Sequence, residues 1–205
     1  MRYKKSAISA AQIVAAATRV IARQGYAHTS LNDIAKEAGM SKGAVHYHFP
    51  TKEALVSKVL ETATEAVAAR TKDAWSAGGQ DPFEALRASV RELWAVRTSG
   101  SEEVRVVSDL LAQSLHDPSL RPQLAAYYRF ATTQTTEYLT LVLAAFGLRP
   151  RVAPEMIPRL LLGLLDGLLL QVFVDPDVID PDELVRSVEL IAQALFERAP
   201  SSGDR

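Results

Sequence analysis

The sequence predicts an all-α fold of about nine helices, with a small three-helix domain at the N-terminus and a larger helical domain after it. Apolar residues recur at helical spacing along most of the chain, and no segment shows the alternating pattern of a strand. Capping residues, glycines and prolines divide this pattern into pieces of helix length. We expect the small domain to span residues 1–52, the larger domain residues 53–198, and a disordered tail residues 199–205.

Two helix starts near the N-terminus carry capping signals. Ser9 is expected to cap the first helix, which would end at Gly25. Ser30 is expected to cap the second helix, because Asp33 stands at the third helical position, where its carboxylate completes a capping box. Gly39 follows the last apolar residue of this helix, where a positive φ would end the helix and turn the chain.

A third short helix is expected directly after this turn. Ser41 is placed to cap it, and Val45 would face inward from it. Ala35, Gly39 and Val45 then occupy the positions that pack two helices at a steep angle around a tight turn. Phe49 is expected to close the apolar cluster. This arrangement predicts a helix-turn-helix motif.

The stretch TSLNDIAKEAGMSKGAVHYHFPTKEAL, residues 29–55, resembles the DNA-binding domain of the TetR family of bacterial regulators. The stretch departs from the family pattern where His46 stands in place of the usual Tyr and Val45 in place of the usual Leu. The resemblance implies a helix-turn-helix that binds an operator on double-stranded DNA. The matching residues are Ile34, Ala35, Ala38, Gly39, Ser41, Gly43, His48, Phe49, Lys52 and Leu55.

The expected DNA contacts follow from the chemistry of the third helix. Lys42 can donate to guanine edges, Ala44 can touch a thymine methyl group, and Gly43 allows close approach of the backbone. His46 is expected to contact a base or a backbone oxygen, and Lys52 a phosphate. His48 could equally brace the turn, and Arg2, Lys4 and Lys5 could reach a groove or form a solvated arm. The full set expected to contact DNA is Thr29, Ser30, Ser41, Lys42, Gly43, Ala44, His46, Tyr47, His48 and Lys52.

The remaining helices are placed by caps and prolines. Thr51, Pro82 and Ser101 mark the starts of the fourth, fifth and sixth helices. The seventh is expected over residues 122–146. Pro158 must lie in the first turn of the eighth helix, and Asp180 is expected to cap a ninth helix that ends near Arg198.

The eighth and ninth helices predict a homodimer. Residues 160–174 contain 11 large apolar side chains in 15 positions, so this helix would be buried on all sides, partly by a second subunit. The expected four-helix interface has two-fold symmetry. Its predicted residues are Leu161, Leu164, Leu168, Leu184, Val188, Ile191 and Leu195.

The C-terminal part resembles the BetI-type, choline-responsive branch of the TetR family, through HDPSL at residues 116–120 and LDGL at residues 165–168. The family resemblance implies a pocket for a small-molecule effector among the later helices. Asp166 is the sharpest candidate, although a nearby Arg or amide could satisfy its carboxylate without a ligand. The candidate pocket residues are Trp75, Trp94, Gln113, His116, Tyr127, Tyr128, Phe130, Tyr138, Asp166 and Gln171.

The distribution of charge and the residue composition favour some classes of function over others. Residues 1–60 carry nine Lys or Arg against three Asp or Glu, whereas the rest of the chain carries 14 against 21. A basic N-terminal part joined to an acidic remainder is typical of a protein with one DNA-facing end. The chain has no cysteine and four histidines, so we expect no metal site and no cofactor. The longest apolar run is shorter than a membrane span, and we expect a cytoplasmic location.

These observations predict a dimeric, ligand-responsive transcriptional regulator that binds a palindromic operator, most simply as a repressor. Two alternatives stay open: a DNA-binding dimer without an effector, and an activator. An enzyme is not expected, because no spaced catalytic residues or phosphate-binding loop stand out.

Overall fold

The computed structural model describes residues 2–79 and 81–198, with side chains from residue 7 onward. The predicted groove contacts of Arg2, Lys4 and Lys5, and the tail at residues 199–205, lie outside these described side chains. Within the described ranges the chain forms nine α-helices and two short strands: α1 (Arg2–Gln24), α2 (Leu31–Glu37), α3 (Lys42–His48), α4 (Lys52–Ala77), α5 (Pro82–Thr98), α6 (Glu102–Ser114), α7 (Arg121–Ala145), β1 (Leu148–Pro150), α8 (Met156–Val174), α9 (Pro181–Leu195) and β2 (Phe196–Arg198).

Contacts between Cα atoms divide the chain into two compact units. The first unit holds residues 1–65 and 100–128, and the second holds residues 66–99 and 129–205. Both units take segments from the two halves of the sequence, so neither is a continuous stretch.

The first unit has one apolar core. Ile13 and Ile21 of α1, Ile34 of α2, Val45 of α3 and Leu110 of α6 are all fully buried in it. Its helices pack in the pairs α1 with α2, α2 with α3, and α1 with α6. The core therefore fixes the position of α3 against α1 and α2.

The turn between α2 and α3 has the predicted geometry. Gly39 has a φ of +67°, the left-handed conformation that favours glycine. The N–H of Gly39 donates to the carbonyl of Lys36 at 3.1 Å, and the N–H of Met40 donates to the carbonyl of Ala35 at 2.9 Å. These two bonds form a Schellman motif, which ends the helix and satisfies its last carbonyl groups.

The second unit has a separate core between α5, α8 and α9. Leu165 of α8 is fully buried there, against Trp94 of α5 and Val185 of α9. Strand β1 pairs antiparallel with β2, and Arg149 lies opposite Glu197. The carboxylate of Glu197 forms ion pairs with Arg149 at 2.6 Å and with Arg151 at 3.4 Å.

Two boundary predictions were wrong. Helix α1 begins at Arg2, so Ser9 lies inside the helix and does not cap it. The segment before Ser9 contains good helix formers, and the helix continues through the weak capping signal. Helix α9 ends at Leu195, because the next three residues pair with β1. Strands of three residues are too short to show an alternating pattern, so none was predicted.

The helix starts predicted at Thr51, Ser101 and Asp180 are confirmed, and the helix start predicted from Pro82 is capped by Asp81. The hydroxyl of Thr51 accepts the N–H of Ala54 at 3.1 Å. Asp81 and Ser101 cap α5 and α6, and Asp180 caps α9 with Pro181 as its first residue. A single 3-10 turn over Pro118–Leu120 stands where the sequence indicated a turn.

Helix α8 meets the length and composition criteria for crossing a membrane, as core helices of globular domains also do. One face of it is in the core of the second unit, where Leu165 and Leu169 are buried. Its Asp166 forms an ion pair with Arg97 of α5 at 3.1 Å. The helix is therefore anchored in this unit by both apolar and charged contacts.

Candidate nucleic-acid interface and effector site

Helix α3 is held by its two ends and by one buried face. The hydroxyl of Ser41 accepts the N–H of Ala44 at 3.1 Å, which caps the N-terminus. Val45 is fully buried, and Phe49, which follows the last turn, is also in the core. Phe49 is therefore a core residue, as the sequence favoured. The opposite face of the helix is left to solvent.

That exposed face carries the residues with the chemistry for DNA binding. Four residues of this face are exposed: Lys42, Gly43, His46 and Tyr47. They form two neighbouring pairs separated by about one helical turn, so all four lie on the same side of the helix. Tyr47 is 76% exposed, so its ring and hydroxyl group are accessible to a partner. Its ring contacts that of His48 edge to face, with the ring centres 5.3 Å apart. His48 and Ala44 are half-buried, at the edge of this face.

Lys42 is the free cation of this face. Among the described residues it has no ion pair and no side-chain hydrogen bond. By contrast, Arg19 and Arg23 of α1 both pair with Glu37, at 2.8 Å and 3.2 Å. Lys36 on α2 is also exposed, and it is not among the residues expected from the sequence to contact DNA. A free ammonium group is available for a phosphate or a base edge without breaking a bond in the protein.

Ser30 and Thr29 differ in their surroundings. The hydroxyl of Ser30 accepts the N–H of Asp33 at 3.2 Å, and the carboxylate of Asp33 accepts the N–H of Ser30 at 3.0 Å. This capping box lowers the pKa of Asp33, since the hydroxyl and the N–H of Ser30 both stabilise the charged carboxylate. Thr29 is buried, and its hydroxyl donates to the carbonyl of Gly25 at 2.7 Å. Its side chain is thus removed from any surface that a phosphate reaches.

Lys52 is a structural brace in addition to any contact with DNA. Its ammonium group donates to the carbonyl of Tyr26 and lies 3.6 Å from the centre of the Tyr26 ring. The side chain is half-buried, and this burial lowers the pKa of Lys52. The hydroxyl of Tyr26 donates to the carboxylate of Glu53 at 3.4 Å. Burial, and next the charge of Glu53, raise the pKa of Tyr26 to about 12.

The ten candidate pocket residues do not form one cluster inside either unit. Trp94 is part of the second core, and the rings of Trp75 and Tyr138 meet edge to face with centres 6.1 Å apart. His116 and Gln171 are exposed. The first unit holds Gln113, His116, Tyr127 and Tyr128, and the second holds Trp75, Trp94, Phe130, Tyr138, Asp166 and Gln171.

Asp166 has the structural partner that the sequence left open. Arg97 is buried, and its guanidinium Nε donates to the carboxylate of Asp166 at 3.1 Å. The same guanidinium group also donates to the carbonyl of Leu93 at 3.4 Å. A buried charge that is paired and hydrogen-bonded needs no ligand to explain it. This favours the structural interpretation of Asp166.

A cavity of the second unit is lined by none of those ten residues. It lies among the C-terminal half of α7, strand β1 and the first turn of α8. Its lining residues were not predicted from the sequence, because most of them are apolar and carry no ligand-binding pattern. The one available signal was the spacing of Thr132, Thr136 and Thr140, which places three threonines on one face of α7.

The predicted dimer residues are divided by burial. Leu184 and Val188 are buried in the core of their own unit, so they do not face a partner. Leu161, Leu164 and Leu168 are half-buried and pack against the same core. Leu195 is half-buried and Ile191 is exposed. An apolar pattern shows that a helix side is covered but does not show whether the cover comes from the same chain.

A different face of α8 is exposed. It contains Met156, Leu160, Leu170 and Val174, with Gly163 and Gly167 between them. The spacing alternates between four and three residues, which is the period of a helix-helix seam. A side chain added at either glycine would meet no atom within 4 Å, so the glycines leave an open groove on the helix. On α9, Leu190 and Ile191 are exposed as well.

Two family profiles match the chain. Residues 13–59 match the family described as bacterial regulatory proteins of the tetR family. Residues 82–197 match the family described as the C-terminal part of BetI-type transcriptional repressors. The first match includes α2, α3 and the exposed face of α3. The second covers more than half of the chain.

The chain is also similar to individual regulators and to a solved structure. The chain is 30% identical over 165 residues to the HTH-type transcriptional regulator BetI of Stenotrophomonas maltophilia, covering 78% of this chain and 79% of that protein. It is 40% identical over 83 residues to the regulator LmrA of Bacillus subtilis, covering 40% of this chain and only 44% of that relative, so it matches less than half of LmrA. The crystal structure of a transcriptional regulator from Rhodococcus sp. Rha1 superposes with a TM-score of 0.69 at 28% identity, covering 91% of this chain and 95% of the other.

Proposed function

The chain belongs to the TetR family of transcriptional regulators, and we propose that it is a repressor that binds a palindromic DNA operator as a homodimer and is released by a small-molecule effector. Members of this family are non-enzymatic DNA-binding proteins that act as dimers with small-molecule effectors. The observation that carries the proposal is the exposed face of α3, where Lys42, Gly43, His46 and Tyr47 stand together on a helix whose other face is buried.

The proposed roles of these residues follow from their exposure. Lys42 would donate to guanine O6 and N7, since its ammonium group has no partner in the described protein. Gly43 would bring the helix backbone close to the groove. Tyr47 and His46 would contact the phosphate backbone or a base edge, and Ser30 a phosphate at the start of α2. We propose residues 1–52 as the DNA-binding domain and residues 53–198 as the effector-binding and dimerisation domain.

A homodimer is supported by the exposed face of α8. Met156, Leu160, Leu170 and Val174 would be covered by the same residues of a second subunit, and Gly163 and Gly167 would let the two helices approach closely. A two-fold dimer presents two α3 helices to successive major grooves, about 34–36 Å apart or a multiple of that distance. The operator would therefore be a palindrome, and the protein would act in the cytoplasm, where the DNA is.

The experiment is selection of bound sequences from a random DNA pool, followed by sedimentation of the protein with the best site. One enriched palindrome, bound by one or two dimers, supports the proposal. A reporter gene placed behind that site shows whether the protein represses or activates transcription, since the two give opposite changes in expression. No enrichment in low salt, where even non-specific binding persists, would contradict the DNA-binding role.

A further inference from the structure

We infer that the cavity between α7, β1 and α8 is a binding site for a small, neutral, monocyclic molecule that carries one hydroxyl group. As the effector site this inference rests on the proposed function, but as a binding site it stands on the geometry of the second unit alone. The cavity has a volume of about 200 Å³. Its lining includes Thr136, Leu139, Leu143, Ala144, Arg149 and Ile157.

The volume sets the size of the ligand. An apolar cavity of about 150 Å³ is large enough to bind benzene. Pockets for drug-sized molecules begin at about 300 Å³. The volume therefore fits one ring with one or two small substituents, and the exposed lining residues Ala144 and Pro154 show that the cavity opens to solvent on one side.

The walls set the polarity of the ligand. Leu139, Leu143 and Ile157 give an apolar lining that binds a ring by excluding water from it. Among the described residues of the lining, Arg149 alone is charged, and its guanidinium group is paired with Glu197 at 2.6 Å. The described lining therefore offers no uncompensated charge to an anion or a cation, and a charged ligand would lose hydration there without gaining an ion pair.

Thr136 supplies the polar contact. Its hydroxyl oxygen is buried and has no hydrogen-bond partner among the described residues. The hydroxyls of Thr71 and Thr140 donate to the carbonyls of Val67 and Thr136, both at 2.8 Å, whereas Thr132, one turn before Thr136 and outside the lining, also has a buried hydroxyl without a partner among the described residues. The Thr136 oxygen has almost no accessible surface, so in its present rotamer it does not border the cavity. Rotation about χ1, which no hydrogen bond of the hydroxyl opposes, would exchange its hydroxyl and methyl positions and turn the hydroxyl towards the cavity. A ligand hydroxyl in the cavity would satisfy this oxygen, whose burial without a partner is otherwise unfavourable.

The test uses the full-length protein and two probes of nearly the same shape. Binding of 4-methylphenol and of toluene is measured by calorimetry, and the site is located from chemical-shift changes of methyl groups by NMR. We expect saturable binding of 4-methylphenol, with the largest shifts at the methyl groups of Thr136, Leu143 and Ile157. The largest shifts at methyl groups of the other core, around Leu165, would overturn the inference, as would the absence of saturable binding.

Three variants separate the contributions. Thr136→Val keeps the shape and removes the hydroxyl, so we expect about tenfold weaker binding of 4-methylphenol and unchanged binding of toluene. Thr140→Val is the matched control, because the hydroxyl of Thr140 already donates to a carbonyl; we expect a change of less than about twofold. Ala144→Phe fills the cavity from an exposed helix position and should abolish binding of both probes. Equal losses of both probes in Thr136→Val, or normal binding in a folded Ala144→Phe protein, would overturn the inference.

Release of operator DNA by 4-methylphenol is measured separately. Binding at Thr136 without release supports the site and removes it as the effector site. If no operator is found but binding at Thr136 persists, the cavity inference stands and the proposed regulatory function fails. The two conclusions can therefore fail independently.

Discussion

The carboxylate of Asp109 in α6 accepts the backbone N–H of Tyr26 at 2.6 Å, which joins the end of α1 to a helix 83 residues later in the chain. Tyr26 is buried and follows Gly25, whose φ of +78° ends α1. The same carboxylate lies within 4 Å of the position that a side chain at Gly25 would take. Asp109 thus fixes the turn that leads from α1 into α2 and α3.

Removing this acceptor should destabilise the first unit. Asp109→Ala leaves the N–H of Tyr26 buried without a partner, and we expect the free energy of unfolding to fall by about 1–3 kcal/mol. Asp109→Asn keeps an acceptor oxygen and serves as the control, with a smaller loss. Urea denaturation followed by circular dichroism measures both. An Asp109→Ala protein as stable as the wild type would show that the bond contributes nothing.

Ionisation of Tyr26 should reduce stability at high pH. Its pKa of about 12 in the folded protein lies above the ordinary value of 10.0, because burial and the charge of Glu53 disfavour the phenolate. The protonated phenol of Tyr26 therefore makes its full contribution to the free energy of unfolding below pH 10. This contribution is lost as the pH rises from 10 to 12. We expect the difference in unfolding free energy between the wild type and Tyr26→Phe to shrink over this range. A difference that stays constant with pH would contradict the raised pKa.

Gly43 should be replaceable for folding but not for DNA binding. A side chain carbon there would lie 3.9 Å from the Ser41 hydroxyl oxygen, an ordinary contact, and alanine favours a helix over glycine. We expect Gly43→Ala to raise the unfolding free energy by up to about 1 kcal/mol and to weaken operator binding by crowding the groove. Gly39→Ala is the matched control, since its φ of +67° makes it destabilising. Unchanged operator affinity in Gly43→Ala would show that the backbone does not approach DNA there.

Lys42 and Lys52 should respond differently to alanine. Lys42→Ala is expected to leave stability unchanged and to relax base preference at one operator position, at a cost of about 1–3 kcal/mol. Lys52→Ala is expected to lower stability, because the ammonium group bonds the carbonyl of Tyr26. If Lys52 also holds a phosphate, its loss reduces the salt dependence of binding by about one charge. Binding measured against salt concentration separates the two roles, and an unchanged slope would leave Lys52 as a brace only.

The exposed face of α8 should control the oligomeric state. Leu170 is 65% exposed, and we expect Leu170→Glu to give a folded monomer, since the charge would be placed in the subunit interface. Leu165 is fully buried, so Leu165→Glu should unfold the second unit instead. Sedimentation velocity and circular dichroism distinguish the two outcomes. A dimeric Leu170→Glu protein would place the interface elsewhere.

Local signals in the sequence located most helix ends and the turn of the DNA-binding motif. The capping box of Ser30 and Asp33, the left-handed turn at Gly39 and the cap at Ser41 involve residues within a few positions of each other. Such interactions depend on the chain's own short segments, so sequence alone predicts them. The same locality explains why helical spacing alone predicts that Val45 is buried while Lys42, Gly43, His46 and Tyr47 are exposed.

Contacts between distant segments could not be derived in this way. The hydrogen bond from Lys52 to the carbonyl of Tyr26 joins residues 26 positions apart, and the ion pair of Arg97 with Asp166 joins residues 69 positions apart. Both depend on which segments meet in the folded chain. The cavity was missed because its lining is formed by three elements together. Each of these elements looks like ordinary helix or loop when it is considered alone.

Helical periodicity, caps and charge are properties of neighbouring residues, so they are sufficient to predict a helical chain with a basic helix-turn-helix end and a strongly apolar eighth helix. They do not predict which side of that helix lies in the core, because this depends on the packing of other helices. Leu165 and Leu169 lie inside the second unit, whereas Leu170 and Val174 remain on its surface. A helix that is apolar on all sides has no periodicity to distinguish these faces, and the distinction arises only when α5 and α9 pack against one of them.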